Sequence, residues 1–241
     1  MRKRIVLMGP FIIMLLLSLI PSVVAHRDYN NYLHSVYMVS YLDPVTAGGV
    51  GSVKVELGAN TDVDVHVEFK GHFSWGEWTY SSVVIPIETG VHAVIGEVVV
   101  PYKALIDPAS CFYYYVYVTI RDGSWNSQVW GLVQEVEVNP PSEVSHEELV
   151  ALMSHLKWMV HTSSLSEGIR NSLFSKLETA GWKIDSAYAT GNLKKLNGAI
   201  GSLESFFNEL DSSNEAASYS DSEIWKEHAE FIIERIELAI A

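Results

Sequence analysis

Cysteine is almost missing from this chain: Cys111 is the single one in 241 residues. No intramolecular disulfide can form, so the fold must hold by packing alone. Cys111 precedes an apolar and aromatic run, where a free thiol behaves as a small core hydrophobe; it is expected buried, not nucleophilic. Positive charge is scarce as well, with 16 Lys and Arg against 29 Asp and Glu and a net charge of −13. That balance argues against a nucleic-acid partner, whose backbone is held by Lys and Arg, and against anionic membrane surfaces. The usual enzymatic signatures are also missing: there is no Gly-x-Ser-x-Gly, no His-Glu-x-x-His, no phosphate loop and no Asp-x-Asp-x-Asp-Gly. The glycine-rich GGVGS at 48–52 leads into a strand and reads as a turn. No cofactor is implied.

What is present begins with a three-part N-terminus. Arg2, Lys3 and Arg4 precede the uncharged run IVLMGPFIIMLLLSLI and the small-residue exit PSVVA, the layout of a secretory signal. Residues 1–25 are expected to be removed, which takes the formal charge from −13 to −16. The competing reading is a retained anchor, since the run with PSVVA reaches about the ~20 residues a bilayer needs. Gly9 and Pro10 within the run favour cleavage.

From about 32 to 138 the chain reads as strands. YLHSVYMVSYL, VGSVKVELGA, DVDVHVEFKG, YSSVVIPIETG, AVIGEVVVPY, CFYYYVYVTIRDG and SQVWGLVQEVEVN are rich in Val, Tyr and Ile and are broken by Gly, Asn, Asp and Pro. In DVDVHVEF the residues Val63, Val65, Val67 and Phe69 share one face, and Asp62, Asp64, His66 and Glu68 share the other. Such runs without intervening helical pattern predict an antiparallel β-sandwich of immunoglobulin or fibronectin type III character over 26–139.

The pattern stops at Asn139-Pro140-Pro141-Ser142, because consecutive prolines continue neither a ladder nor a helix. A linker is placed at 140–144 and a helical domain at 145–241. Ser145-x-x-Glu148 is a capping-box pattern, followed by the stripe Leu149, Leu152, Met153, Leu156 and Val160. Ser164-x-x-Glu167 precedes Ile169, Leu173, Leu177, Ala180, Ile184, Ala187 and Tyr188, with a stop before Gly191. Asn192 starts a third helix with Leu196, Ala199, Ile200, Leu203, Phe206 or Phe207, and Leu210. After the polar SNEAASYSDSE, Ser220-x-x-Glu223 starts a fourth with Ile224, His228, Ile232, Ile236 and Ile240. Four amphipathic helices with short links predict a four-helix bundle.

GNLKKLNGAIGSLESFFNEL, a polar loop, and EIWKEHAEFIIERIELAIA together resemble the FIMAH-type helical module found near the C-termini of exported microbial proteins. The shared points are the Gly-Asn start, the alanine spacing, the paired aromatic site and the double isoleucine. The resemblance covers roughly 165–240 and implies an exported, modular protein; it carries no catalytic residue.

Two site chemistries stand out. If cleavage follows Ala25, His26 offers an α-amino group and an imidazole to a copper ion, with His34, His66, His72 or His92 as a partner ligand. The second is aromatic: HFSWGEWTY packs Phe73, Trp75, Trp78 and Tyr80 together, and FYYYVYVTI sets Tyr113, Tyr115 and Tyr117 on one strand face, about 6.6 Å apart. Such a ladder suits a sugar or a protein partner, since Tyr and Trp offer flat area with a polar edge; packing or cross-strand stiffening is the structural alternative. Trp125 and Trp130 flank another turn. Paired acids (Asp62, Asp64 and Glu68; Glu135 and Glu137) look solvated, not set in the cleft glycosidase chemistry needs. Asp43, Asp62, Asp64 or Asp122 offer oxygen ligands to a weak cation site.

The expected protein is therefore an exported, non-catalytic binding or adhesion protein. Trp75, Trp78, Tyr80, Tyr113, Tyr115 and Tyr117 would contact a protein or carbohydrate at the cell surface. The alternatives are a copper-binding sandwich using His26, as carrier or oxidative enzyme, and a coat or envelope component that forms homo-oligomers through its helices. Membrane contact is expected only through an uncleaved N-terminus.

Overall fold

The computed structural model describes residues 32–72, 78–106, 111–120 and 129–241, with the side chains of Trp78, Cys111, Val129 and Trp130 outside that description. The chain is β-rich first and helical afterwards. A three-stranded sheet has the order β1 (Leu33–Tyr41), β3 (Val50–Ala59), β6 (Gly90–Val99). A five-stranded sheet has the order β2 (Val45–Thr46), β8 (Val129–Asn139), β7 (Cys111–Ile120), β4 (Val63–His72), β5 (Trp78–Ile87). Strand β3 runs antiparallel to β1 and β6, and β4 antiparallel to β5 and β7.

Alternation decides which residues make the core of these sheets. On β4 the inward positions Val65, Val67 and Phe69 are buried; on β7 they are Phe112, Tyr114, Val116, Val118 and Ile120. Val53, Val55 and Leu57 on β3 and Val94 and Val98 on β6 supply the facing layer. The layers come close enough to need glycine at two points. A Cβ on Gly96 would run into the ring of Phe69, and one on Gly51 into the phenol of Tyr114.

The described residues divide into two compact units. The β-rich unit holds the described residues up to Val45, together with Val50–Val99 and Phe112–Glu137. The helical unit holds Val138–Ala241 together with Thr46–Gly49 and Val100–Cys111. Backbone bonds explain why those short stretches belong to it: Gly48 N donates to Val100 O at 2.7 Å, Val100 N to Gly49 O at 3.0 Å, and Ala47 N to Asn139 O at 3.0 Å. A 3-10 helix at Tyr102–Ile106, which the strand reading of this region did not anticipate, buries Ala104 and Ile106.

The helical unit contains α1 (His146–Thr162), α2 (Glu167–Ala189), a 3-10 helix (Leu193–Leu196), α3 (Asn197–Ser212), the single-turn α4 (Asn214–Ala217) and α5 (Ser222–Ile240). The stripes read for the first three long helices are mostly buried, with Phe206 inside and Phe207 only half-buried. Helix α2 ends in a Schellman turn: Gly191 has φ 62°, its N–H bonds Tyr188 O, and Asn192 N bonds Ala187 O.

The helix starts differ from the capping-box reading. Ser145 Oγ does accept from Glu148 N at 3.0 Å, but the Glu148 side chain does not reach back. It lies fully buried and binds Arg235 through Nε at 2.6 Å and Nη2 at 3.1 Å. Arg235 Nη2 also donates to Pro141 O at 2.8 Å. The N-cap of α2 is Ser166, not Ser164, and a residue of α4 caps it: Ser166 N and Oγ both donate to the Glu215 carboxylate. The N-cap of α5 is Asp221, and Glu223 bonds Lys226 at 2.8 Å instead of capping. The polar segment before α5 thus contains a helical turn, capped by Ser213 Oγ, which accepts from Ala216 N at 3.2 Å, and it buries Ala216. Helix α5 buries Trp225, His228, Ala229, Ile232, Arg235 and Ile236, whereas Ile224 and Ile240 of the expected stripe are only half-buried.

Removing one partner of a buried ion pair strands the other charge, at a cost of about 3–5 kcal/mol, while apolar replacement of both is often neutral. Glu148→Gln or Arg235→Met alone is therefore expected to lower the urea unfolding free energy by about that amount. The double change Glu148→Met with Arg235→Leu should recover most of the loss.

Candidate functional site

On β7 the inward residues fill the core, so Tyr113, Tyr115 and Tyr117 must point outward, where they are half-buried. Strand β4 sets His72 opposite Tyr113, Lys70 opposite Tyr115 and Glu68 opposite Tyr117. Strand β5 then sets Tyr80 opposite Lys70 and the main chain of Trp78 opposite His72. Four of the sequence-predicted aromatic residues are thereby brought to one face: Tyr80, Tyr113, Tyr115 and Tyr117. Trp75 lies outside the described residues, as do Phe73, Trp125 and the side chains of Trp78 and Trp130.

The rings form a graded row. Tyr113 and Tyr115 have centroids 6.4 Å apart at 47°, and Tyr115 and Tyr117 stack at 6.5 Å with planes only 10° apart. His72 sits 6.0 Å from Tyr115, edge-on at 88°, and 6.5 Å from Tyr113. The Lys70 ammonium lies 4.8 Å from the Tyr117 centroid and 5.9 Å from that of Tyr80, within cation–π range, and pairs with Glu68 at 3.2 Å. On β8, Gly131 adds no side chain beside Tyr117, leaving room next to that ring. Tyr80, at 56 %, is the most exposed member. The result is a row of aromatic rings with one cation beside it.

Sequence reading did not find Lys70 as a member. It continues the outward row of β4 after His66 and Glu68, but only the register between β4 and β7 shows that the row faces the tyrosines.

The other candidates fall elsewhere. His26 lies outside the described residues. Of its suggested partners, His34 bonds Asn60 Oδ1 at 3.0 Å and His92 bonds Glu88 O at 2.7 Å. His66 lies on the outward face of β4, and His72 joins the tyrosines. Among the described residues no group of three His, Cys, Asp or Glu side chains is placed to hold a metal. Asp62 and Asp43 serve the backbone: Asp62 Oδ1 accepts from Thr89 N at 2.9 Å, and Asp43 Oδ1 from Glu137 N at 3.1 Å. Asp122 lies outside the described residues.

Beneath the strip, Tyr114 is buried, with its hydroxyl donating to Leu42 O at 3.3 Å. Burial, and then the nearby charge of Asp43, push its phenol well above the ordinary value.

No family model matches the chain. No curated protein matches it either. Among solved structures, the C-terminal domain of wzt is similar at 8% identity and a TM-score of 0.32, over 43% of this chain and 73% of that one. A structure described as pT26-6p has 8% identity and a TM-score of 0.30, over 84% of this chain and 49% of that one. A beta-glucosidase from Listeria innocua has 14% identity and a TM-score of 0.29, over 46% of this chain and only 16% of that one. Likeness at this level assigns no activity, and none of these matches points to the FIMAH-type module.

The Tyr114 phenol gives a prediction with a definite sign. An unfolded tyrosine ionises near pH 10, whereas folded Tyr114 stays protonated above that, so the folded state binds more protons and stability declines as pH rises past about 10. Tyr114→Phe removes this contribution. The drop in melting temperature between pH 8 and pH 11 is expected to be smaller in the variant; an equal drop would show that the phenol ionises freely in the fold.

Proposed function

We propose that this chain is an exported, non-catalytic binding protein. In this reading the two sheets form an Ig-like sandwich, and the strip of Tyr113, Tyr115, Tyr117 and Tyr80 takes a carbohydrate polymer at the cell surface. The helical part is a four-helix bundle of FIMAH-like character that mediates packing or assembly. The observation that carries the reading is the outward ring row with steps of 6.4 and 6.5 Å. Flat rings in a row meet the flat faces of successive sugar units, and their hydroxyl edges serve sugar hydroxyls. A row of rings on the outward face of a strand fits binding along a polymer; bond cleavage needs two carboxylates set around the scissile bond, and Glu68 is the one carboxylate among the described members of the strip.

Lys70 adds selectivity. Over the tyrosine faces and beside Glu68 it is part of the strip, a donor placed between stacking platforms. A surface protein is the other partner class that such tyrosines serve, since Tyr is enriched at the energetic centres of protein interfaces.

Co-sedimentation of the purified chain with insoluble cell-envelope polysaccharide tests this. Tyr80→Ala and Tyr117→Ala are each expected to weaken binding about tenfold, or about 1.4 kcal/mol, with melting temperature within a few degrees of the parent. Trp78→Ala, at the position whose main chain lies opposite His72, serves as the companion variant. Unchanged binding in all three, with the fold intact, rules the strip out; loss of binding to an envelope protein in place of the polysaccharide reassigns the partner.

A further inference from the structure

The helical unit carries an exposed aromatic platform of its own. Trp182 on α2 is 68 % exposed, the highest value among the large apolar side chains of the described residues. Clefts lie on both sides of it. The one of about 220 Å³ toward α1 has mixed charge, with Lys157, Glu178 and Asp185 in its wall. The other, about 290 Å³, lies between α2 and the start of α3 and is lined by Trp182, Lys183, Ser186, Lys195 and Gly198. Every charged side chain in that second wall is a lysine, in a chain with 16 basic and 29 acidic residues.

The lysines are held in place with donors to spare. Lys183 Nζ donates to Gly198 O and to Ser202 Oγ, both at 2.8 Å, and Lys195 Nζ donates to Thr190 Oγ1 at 3.2 Å. An ammonium has three N–H donors and no acceptor, so one on Lys183 and two on Lys195 are left for a ligand. Neither makes an ion pair among the described residues. Gly198 preserves the geometry: a Cβ there would lie 3.2 Å from Lys183 Cδ, so a larger residue would push that lysine aside.

We infer that this groove binds a sugar ring bearing a carboxylate. The indole supplies a flat apolar face for the C–H side of a pyranose, and the ammoniums supply charge-assisted bonds to the acid group. A neutral sugar fits less well, because the only side-chain hydroxyl in the wall is Ser186 and its own hydroxyl donors would find few acceptors. At about 290 Å³ the groove stands at the small end of ligand sites, which start near ~300 Å³, the size for one ring and not a buried chain. This site is separate from the tyrosine strip and does not rest on it.

The test is NMR titration of the full chain, following the tryptophan indole N–H signals, with the Trp182 signal assigned through Trp182→Phe. Sodium glucuronate is expected to shift the Trp182 signal in a saturable way, and to do so more weakly as salt rises from 50 to 500 mM. Methyl glucuronate, glucose and acetate should each give at least a fivefold smaller response at equal concentration. Lys195→Gln should weaken the glucuronate response at least fivefold, and Trp182→Ala should abolish glucuronate binding measured by calorimetry; both sites are on the surface, so the fold is expected to survive either change. The inference is overturned by an equal response to acetate, which would mean anion capture without ring recognition, or by an equal response to the methyl ester. An unmoved Trp182 signal, or a stronger response to glucose 6-phosphate, overturns it as well.

Discussion

The period-two alternation of β4 and β7 fixes both the core and the surface of the β-rich unit. Phe112, Tyr114, Val116 and Val118 are all 1 % exposed or less, so a shift of one residue in register would exchange them for Tyr113, Tyr115 and Tyr117. That exchange would put three phenol hydroxyls in place of one into a layer where even Tyr114 needs the Leu42 carbonyl to satisfy its own. Burying a hydroxyl without a partner costs about 1–3 kcal/mol, so the register is held by the core and the tyrosine strip is its consequence. The closeness of the two layers makes the same point: Gly51 and Gly96 are where the Tyr114 and Phe69 rings take the space a Cβ would need.

The helical unit is organised around a different pair of contacts. Glu148 meets Arg235, and two turns further along α1 and back along α5, His155 and His228 have ring centroids 6.2 Å apart. These contacts set α1 and α5 antiparallel and fix their axial alignment, since a slide of one turn would bury Glu148 against an aliphatic side chain. Arg235 also holds the Pro141 carbonyl, which ties the entry into α1 to the same point. A buried ion pair adds little net stability; here its effect is to select one alignment of two helices.

The sequence made much of this legible because its two periods are strong. The seven strand runs, the four long helices and the shared face of Tyr113, Tyr115 and Tyr117 follow from spacing alone; that this face points outward follows only from which residues the core buries. What spacing cannot give is which strand lies beside which. Lys70 and His72 join the site only because β4 pairs with β7 and β5, a long-range choice made by the whole core. The helix caps show the same limit: Ser164 and Ser220 have the right local pattern, yet Glu215, distant in sequence, takes over the start of α2. Arg235 and Trp225 were hidden for a related reason, as a charged residue and a large aromatic beside the glutamates of α5 look solvated until the packing of the helix places them inside. Trp182 carried no sequence signal, because its meaning depends on lysines from α2 and from the turn before α3 meeting around it.

The central claim is that outward tyrosines of β7 form a binding face while the inward one is structural. Ring-labelled tyrosine NMR of the full chain, titrated with soluble cell-envelope oligosaccharide, tests it most directly. The account predicts that the Tyr113, Tyr115 and Tyr117 ring signals move together and saturate while that of Tyr114 stays fixed. Movement of Tyr114 to the same extent, or stillness of all four while the sugar binds elsewhere, would contradict it.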